Sequence, residues 1–209
     1  LDEAEWGEFV IVKPTDIATS SHGRGIQLMR TRRVRFIPPR RYPADHPGRL
    51  GPMMVQQFID TGERLTSFRV TTYFGEPISA LTHSGGTPRV ALDAPDSEIE
   101  STAIAIQAAG ERKSEFLYDP EILALARRAH EAVPEIPLKG CDVLRDAKTG
   151  ALYVIELNAG GNTWHFSSNF MAERRKKYGE AFERMRREQF DAMRTAARVL
   201  VERARTEAE

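Results

Sequence analysis

Apolar positions along the chain change their period several times, and each change marks an element. Phe9-Val10-Ile11-Val12 is a short β-branched and aromatic run ending at Lys13-Pro14, the pattern of a buried strand. Residues 15–25, TDIATSSHGRG, are small, polar and Gly-bearing; they predict a loop, with Gly25–Met29 as the return strand of a hairpin. Met53–Ile59 predicts the next strand and Thr61-Gly62 a turn, and Ser67–Tyr73 and Glu76–Leu81 form a hairpin about Phe74-Gly75. Residues 83–97 read as loop and 98–112 as helix. A further helix opens at Asp119-Pro120-Glu121, with Asp as N-cap and Pro at the first helical position, and runs to about Ala132. Gly140–Arg145 and Ala151–Asn158 predict strands joined by a turn at Asp146–Gly150. From 171 to 207, apolar residues at 178, 182, 185, 193, 197, 200 and 204 recur at helical spacing, so one long helix is expected, with Gly179 as the point where it would break. Strands cluster in hairpins instead of alternating with helices, which makes the fold class α+β.

Composition narrows the field. A chain of 209 residues can bury one or two real cores. Thirty basic residues balance thirty acidic ones, so no global field draws the chain to nucleic acid or to a membrane surface. Cys141 stands alone, which excludes an internal disulfide and fits a reducing compartment. The apolar runs fall far short of the ~20 residues a bilayer span needs. The N-terminus has no signal-like pattern, with acids at Asp2, Glu3 and Glu5. A soluble cytoplasmic protein without a membrane partner is therefore expected. The chain opens on Leu1 instead of Met, so a processed form or a piece of a longer chain is also expected. Residues 30–49 hold seven arginines, four prolines and one acid. The prolines argue against helix, and a solvated loop is the expectation over a surface for an anionic partner.

The polar residues that interrupt the strands carry the chemistry. In YVIELNAGGNTWHF, residues 153–166, alternation puts Leu152, Val154, Glu156 and Asn158 on one face and Tyr153, Ile155 and Leu157 on the other. If Asp146 faces Leu152 across the turn, Asp142 faces Glu156, and two carboxylates and an amide form a hard oxygen cluster. Magnesium prefers such ligands and completes its shell with water and phosphate oxygens. Crowded carboxylates without a cation repel and raise a pKa. The same acids would serve equally on the solvated face of an ordinary hairpin. Lys13 ends a strand ahead of a Ser/Gly loop whose N–H groups can cradle phosphate, with Lys13 as a cationic phosphate ligand. No GKS or GKT triad occurs, and a plain surface hairpin is the alternative. In VQQFIDTGERLTSFRV, Gln56-Gln57-Phe58-Ile59 ends a strand and Arg69 sits in the next, which makes a hinge for an adenine edge or simply a strand with a polar rim.

Taken in order, FVIVKP, SSHGRGI, VQQFIDTGERLTSFRV, GCDVLRD and YVIELNAGG resemble the ATP-grasp superfamily over residues 8–161. The resemblance implies two α+β subdomains that sandwich ATP, here 1–60 and 61–209, the second with the metal hairpin and the C-terminal helix. It implies that Lys13 contacts the α- and β-phosphates. Ser20, Ser21, His22, Gly23, Arg24 and Gly25 would close over the phosphates. Gln56, Gln57, Phe58 and Ile59 would line the adenine, with Glu63 on the ribose. Arg69 would act catalytically on the γ-phosphate or an acyl phosphate. Asp142, Glu156 and Asn158 would hold one or two Mg²⁺, with Mn²⁺ able to replace them. The implied activity is an ATP-dependent ligase that activates a small-molecule carboxylate as an acyl phosphate for attack by an amine or similar nucleophile. A small-molecule kinase, or a nucleotide-binding fragment inactive without an N-terminal domain, is the alternative. Family members carry a domain ahead of the Lys13 strand, many have Glu where Gln56 stands, and Pro-Gly is commoner where Asn162–His165 follow the metal pair. Cys141 is expected in the packing, pointing away from Asp142. His165 beside Trp164 would touch substrate or sit at the surface. The terminal helix covers its own sheet, with a homodimer face as the alternative.

Overall fold

The β-branched runs form eight strands in two sheets in a computed structural model, which describes residues 1–15, 25–102, 104–106, 110–160, 166 and 169–208, with the backbone alone at 169–171, 173 and 174. Strands β1 (Phe9–Pro14), β2 (Gln27–Arg30) and β3 (Met53–Gln57) make a sheet in the order β2-β1-β3. Strands β4 (Thr66–Tyr73), β5 (Glu76–Ser84), β6 (Lys113–Phe116), β7 (Leu138–Arg145) and β8 (Leu152–Ala159) make the second, in the order β6-β5-β4-β7-β8. The described α-helices are α1 (Glu3–Trp6), α2 (Pro47–Leu50), α3 (Asp96–Ser101), α4 (Pro120–Glu131), α5 (Asn169–Glu188) and α6 (Ala192–Glu207), with single 3-10 turns at Thr31–Arg33 and Pro39–Arg41. The class is α+β.

The chain divides into two compact units, Leu1–Thr66 with Ser84–Lys113, and Ser67–His83 with Ser114–Glu209. This corrects the expected division at residue 60: the segment after β5 returns to the first unit, because its apolar residues belong to that core. Val90, Leu92, Ala94, Ile99 and Ile104 pack with Phe9, Ile11, Leu28 and Phe58. Residues 98–112 are not one helix. Helix α3 stops at Thr102, whose backbone is extended, and Gly110 has φ +78°. Gly86 permits close passage there, since a Cβ on it would lie 2.6 Å from the Glu111 carbonyl oxygen.

The Arg/Pro-rich stretch is held by its own arginines. Arg30 donates to Asp96 at 2.8 Å, pairs with Glu8 and stacks over Phe9. Arg33 donates to Glu100 at 2.6 Å, and Arg49 to the carbonyls of Arg40 and Tyr42. Tyr42 stacks on His46, and Gly48 is a glycine because a Cβ there would sit 2.6 Å from the Tyr42 ring.

The second unit is built on a core of Val70, Ala80, Leu117, Ile122, Ala126, Cys141 and Val143. Helix α4 begins as predicted: the Asp119 carboxylate accepts from the amides of Glu121 and Ile122. Ile122, Ala126 and His130, one helical face, are buried. Its C-terminal carbonyls meet a buried lysine, since Lys139 on β7 donates to the carbonyls of His130 and Val133 at only 1% exposure. The hairpin turn at Phe74-Gly75 has positive φ at both residues, as a two-residue type I′ hairpin requires.

The long C-terminal helix is present and kinks at Gly179 as expected, with a further interruption before Ala192. Gly179 kinks α5 at φ +80°, and Asp191 in the left-handed region restarts the chain as α6. The restart resets the helical phase. Ala192, Ala196 and Val199 are buried, whereas Met193 and Leu200, expected on the inner face, are 47% and 49% exposed. Among the described residues no helix is long and apolar enough to cross a membrane.

His130 is the pH-sensitive point of this core. Burial lowers its pKa, Lys139 and Arg203 lower it further, and Glu131 pulls the other way. The unfolded chain then takes up a proton near the ordinary value of about 6.5 while the folded one resists it, so stability falls as pH drops through that region. Denaturant unfolding at pH 7.5 and 5.5 should show this slope, and His130→Leu should flatten it.

Candidate active site

Strand pairing sets the residues of the second unit in a row. Asp142 on β7 pairs with Arg69 on β4 on one side and with Glu156 on β8 on the other. Directly opposed residues in antiparallel strands have Cβ atoms about 5 Å apart, so one basic and two acidic side chains stand side by side on one face. Asn158, two residues on and paired with Gly140, completes the group. The structure therefore brings together Arg69, Asp142, Glu156 and Asn158.

The register behind this differs from the expected one. Arg145, not Asp146, faces Leu152, and a bulge between Asp142 and Val143 makes up the difference. Asp142 still faces Glu156 because β8 carries one extra residue there, Ile155, which the ladder skips. The bulge also overturns the simple alternation. Leu152 and Leu157 both pack on the core under α4, while Tyr153, Val154 and Glu156 are exposed. Glu156 therefore points to solvent instead of ending an inner face.

Asp142 is the hub of the row. The Arg69 fork holds it at both oxygens, with Nη2 to Oδ2 at 2.5 Å, and Asn158 Nδ2 donates to Oδ2 at 3.1 Å. The Asp142 side chain is 12% exposed and that of Arg69 32%. Burial pushes the Asp142 carboxyl up; Arg69 pulls it down by charge and hydrogen bond, Glu156 pushes it up again and Asn158 pulls it down, with the net direction upward. Among the described residues the Glu156 carboxylate accepts no hydrogen bond. Cys141 lies on the opposite face, buried in the core as expected, and burial pushes its thiol up to about 11.

This donor set fits a hard cation in part. Two carboxylates and an amide supply only oxygen ligands, and no group of three His, Cys, Asp or Glu occurs among the described residues. Magnesium tolerates so few protein ligands because it keeps waters and takes phosphate oxygens.

In the first unit, Lys13 and Gln56 share one face of the small sheet, since Ile11 pairs with Gln56 and Lys13 with Met54. The Lys13 ammonium makes no hydrogen bond or ion pair among the described residues. Gln57 lies on the other face and donates to the Glu5 carbonyl at 3.0 Å. Phe58 belongs to the core, edge-on to Phe9, and with Ile59 lies beyond the end of β3. Glu63 is exposed in the connection to β4. Gly25, at φ +67°, fits between Pro14 and Pro47, where a Cβ would meet ring carbons at 3.1 and 2.8 Å. Ser20, Ser21, His22, Gly23 and Arg24, and Asn162–His165, lie outside the described residues.

Two anchors were not foreseen. Arg89 pairs with Asp60 at 2.9 Å and donates to the Gly62 carbonyl at 3.0 Å, which holds the segment bearing Glu63. Lys139, described above, anchors α4 to β7. The only local signals were a charge in a turn and a lysine inside an apolar strand.

No family model and no curated protein matches the chain. Solved structures do. One is the ATP-grasp ligase PsnB with its minimal precursor, Mg and ADP, at 20% identity over 76% of this chain and 40% of that one, TM-score 0.44. Another is the D-cycloserine synthetase DcsG, at 17% identity over 86% and 56%, TM-score 0.45. The D-alanine–D-alanine ligase of Bacillus anthracis is similar at 12% identity over 95% and 60%, TM-score 0.46. This chain thus spans 40 to 60% of their lengths.

Proposed function

We propose that the chain is the catalytic region of an ATP- and Mg²⁺-dependent ligase that activates a carboxylate as an acyl phosphate for attack by an amine or similar nucleophile. The observation that carries the reading is the row Arg69–Asp142–Glu156, with Asn158 beside it, on one face of the second sheet. Asp142, Glu156 and Asn158 hold the metal, one ion or two, with Mn²⁺ as a substitute. When bound there, the ion would supply positive charge against the phosphate oxygens.

Phosphoryl transfer asks the protein mainly for position and charge. A substrate carboxylate oxygen bonds to the γ-phosphorus as the bond to ADP breaks. The nucleophile then bonds to the acyl carbon as phosphate leaves. Arg69 supplies a cation for the transferring group and for the acyl phosphate. Neither step needs a side-chain nucleophile, which suits a buried Cys141. Lys13, without a partner among the described residues, and Gly25, Gln56, Ile59 and Glu63 carry the nucleotide contacts of the first unit in this reading, whereas the Gln57 side chain is on the opposite face and Phe58 is in the core.

The test is ADP release in the presence of Mg²⁺ and pools of carboxylates with amines. Release that requires both pools supports the ligase. Release with a polyol pool alone would make it a kinase, and none with any pool, in a protein that binds Mg²⁺ and an ATP analogue, would sink the catalytic claim.

A further inference from the structure

We propose that Arg69 is the resting counter-ion of the metal carboxylate: Asp142 holds the Arg69 guanidinium in the nucleotide-free protein and exchanges it for a divalent cation, so that metal occupancy and the freeing of Arg69 are one coupled event. The inference rests on the reading of Asp142, Glu156 and Asn158 as the metal-holding group.

The hydrogen bonds carry the argument. Arg69 uses two donors of its fork on the two oxygens of Asp142, and Asn158 adds a third N–H to Oδ2. Those directions are the ones a cation would need. Asn158 faces Asp142 with its amide nitrogen, the end that cannot bind a cation. The Glu156 carboxylate accepts no hydrogen bond among the described residues, whereas both Asp142 oxygens do. Both Asp142 oxygens are thus taken up by the Arg69 guanidinium, the positions a divalent cation would have to claim.

The same geometry says which partner moves. Asp142 is a short side chain in a central strand, 12% exposed, whereas Arg69 is 32% exposed and has a long stem. With Arg69 in place, the row holds one positive and two negative charges. A divalent ion against the same oxygens meets the guanidinium as a like charge and favours its departure. The released fork is then a cation without a carboxylate, beside the position where phosphate charge develops. Metal loading and arming of Arg69 therefore occur together, and a protein without metal has its catalytic cation held back.

The probe is Mn²⁺ added to the nucleotide-free protein, followed by loss of the free-ion electron paramagnetic resonance signal. Wild type, Arg69→Gln, Arg69→Lys and Glu156→Ala are compared, with circular dichroism to confirm folding. Arg69→Gln removes the competitor and should bind Mn²⁺ about tenfold more tightly than wild type, or better. Arg69→Lys, with one ammonium in place of a fork, should fall between, and it carries the test if Arg69→Gln does not fold. Mn²⁺ should also raise the melting temperature of the tighter-binding variants more than that of wild type. Equal or weaker binding by folded Arg69 variants overturns the exchange, while Glu156-dependent binding by wild type would leave the metal site standing. If no variant binds Mn²⁺, with or without an ATP analogue, the metal reading falls and the exchange with it.

Discussion

Glu156→Ala is expected to weaken the Mg²⁺-dependent binding of a non-hydrolysable ATP analogue by at least about a hundredfold, beyond the loss typical for residues that only orient metal ligands. Calorimetric titration of Mg²⁺ and analogue together measures it. The variant is clean because Glu156 is exposed on β8 and accepts no hydrogen bond among the described residues. Exposed substitutions of that kind change stability by only about 0.5 kcal/mol, so lost binding would report on the site and not on the fold. Asp142→Ala is the less informative change. It strands Arg69 in a partly buried row, and breaking such a pair costs about 3–5 kcal/mol when burial is complete, less at this exposure. Binding unaffected by Glu156→Ala would remove Glu156 from the metal site.

Lys139→Ala should be among the most destabilising single changes in the second unit. The ammonium donates to two carbonyls at the end of α4 and is 1% exposed. Removing it leaves buried acceptors unsatisfied, at about 1–3 kcal/mol, and empties the space of a four-carbon stem. A loss of about 3 kcal/mol corresponds to roughly 6–12 °C in melting temperature for a chain of this size. Lys139→Met restores the stem without the donors and should recover part of the loss. If Lys139→Ala melts with wild type, the ammonium does not hold the helix end.

The parts of this fold that could be read from sequence are those decided by neighbours in the chain. The N-cap Asp119, the turn at Phe74-Gly75 and the strand ending at Lys13-Pro14 depend on a few adjacent residues, and each stands where it was expected. The facing of Asp142 and Glu156 was also foreseen, though from a register that holds only at that end of the hairpin. What escaped was set by distant parts of the chain. That β4 lies beside β7, and so puts Arg69 against Asp142, depends on residues 73 positions apart. Residues 84–113 join the first unit because of where Ile99 finds a core. The inner face of α6 could not be read through Asp191, since one left-handed residue shifts every later position around the helix. Burial of Lys139 follows from where α4 ends, and neither segment reveals it alone.

The bulge at Ile155 divides β8 into two stretches with independent phase, Leu152–Val154 ahead of it and Glu156–Ala159 after it. Insertions and deletions in the Asp146–Gly150 turn change the first stretch and can be absorbed at the bulge before they reach Glu156. A hairpin that ends in functional oxygens would otherwise tolerate no change in loop length, because a slip of one residue turns every side chain to the opposite face. Built this way, the far end of the hairpin is free to vary while the row across β4, β7 and β8 keeps its alignment.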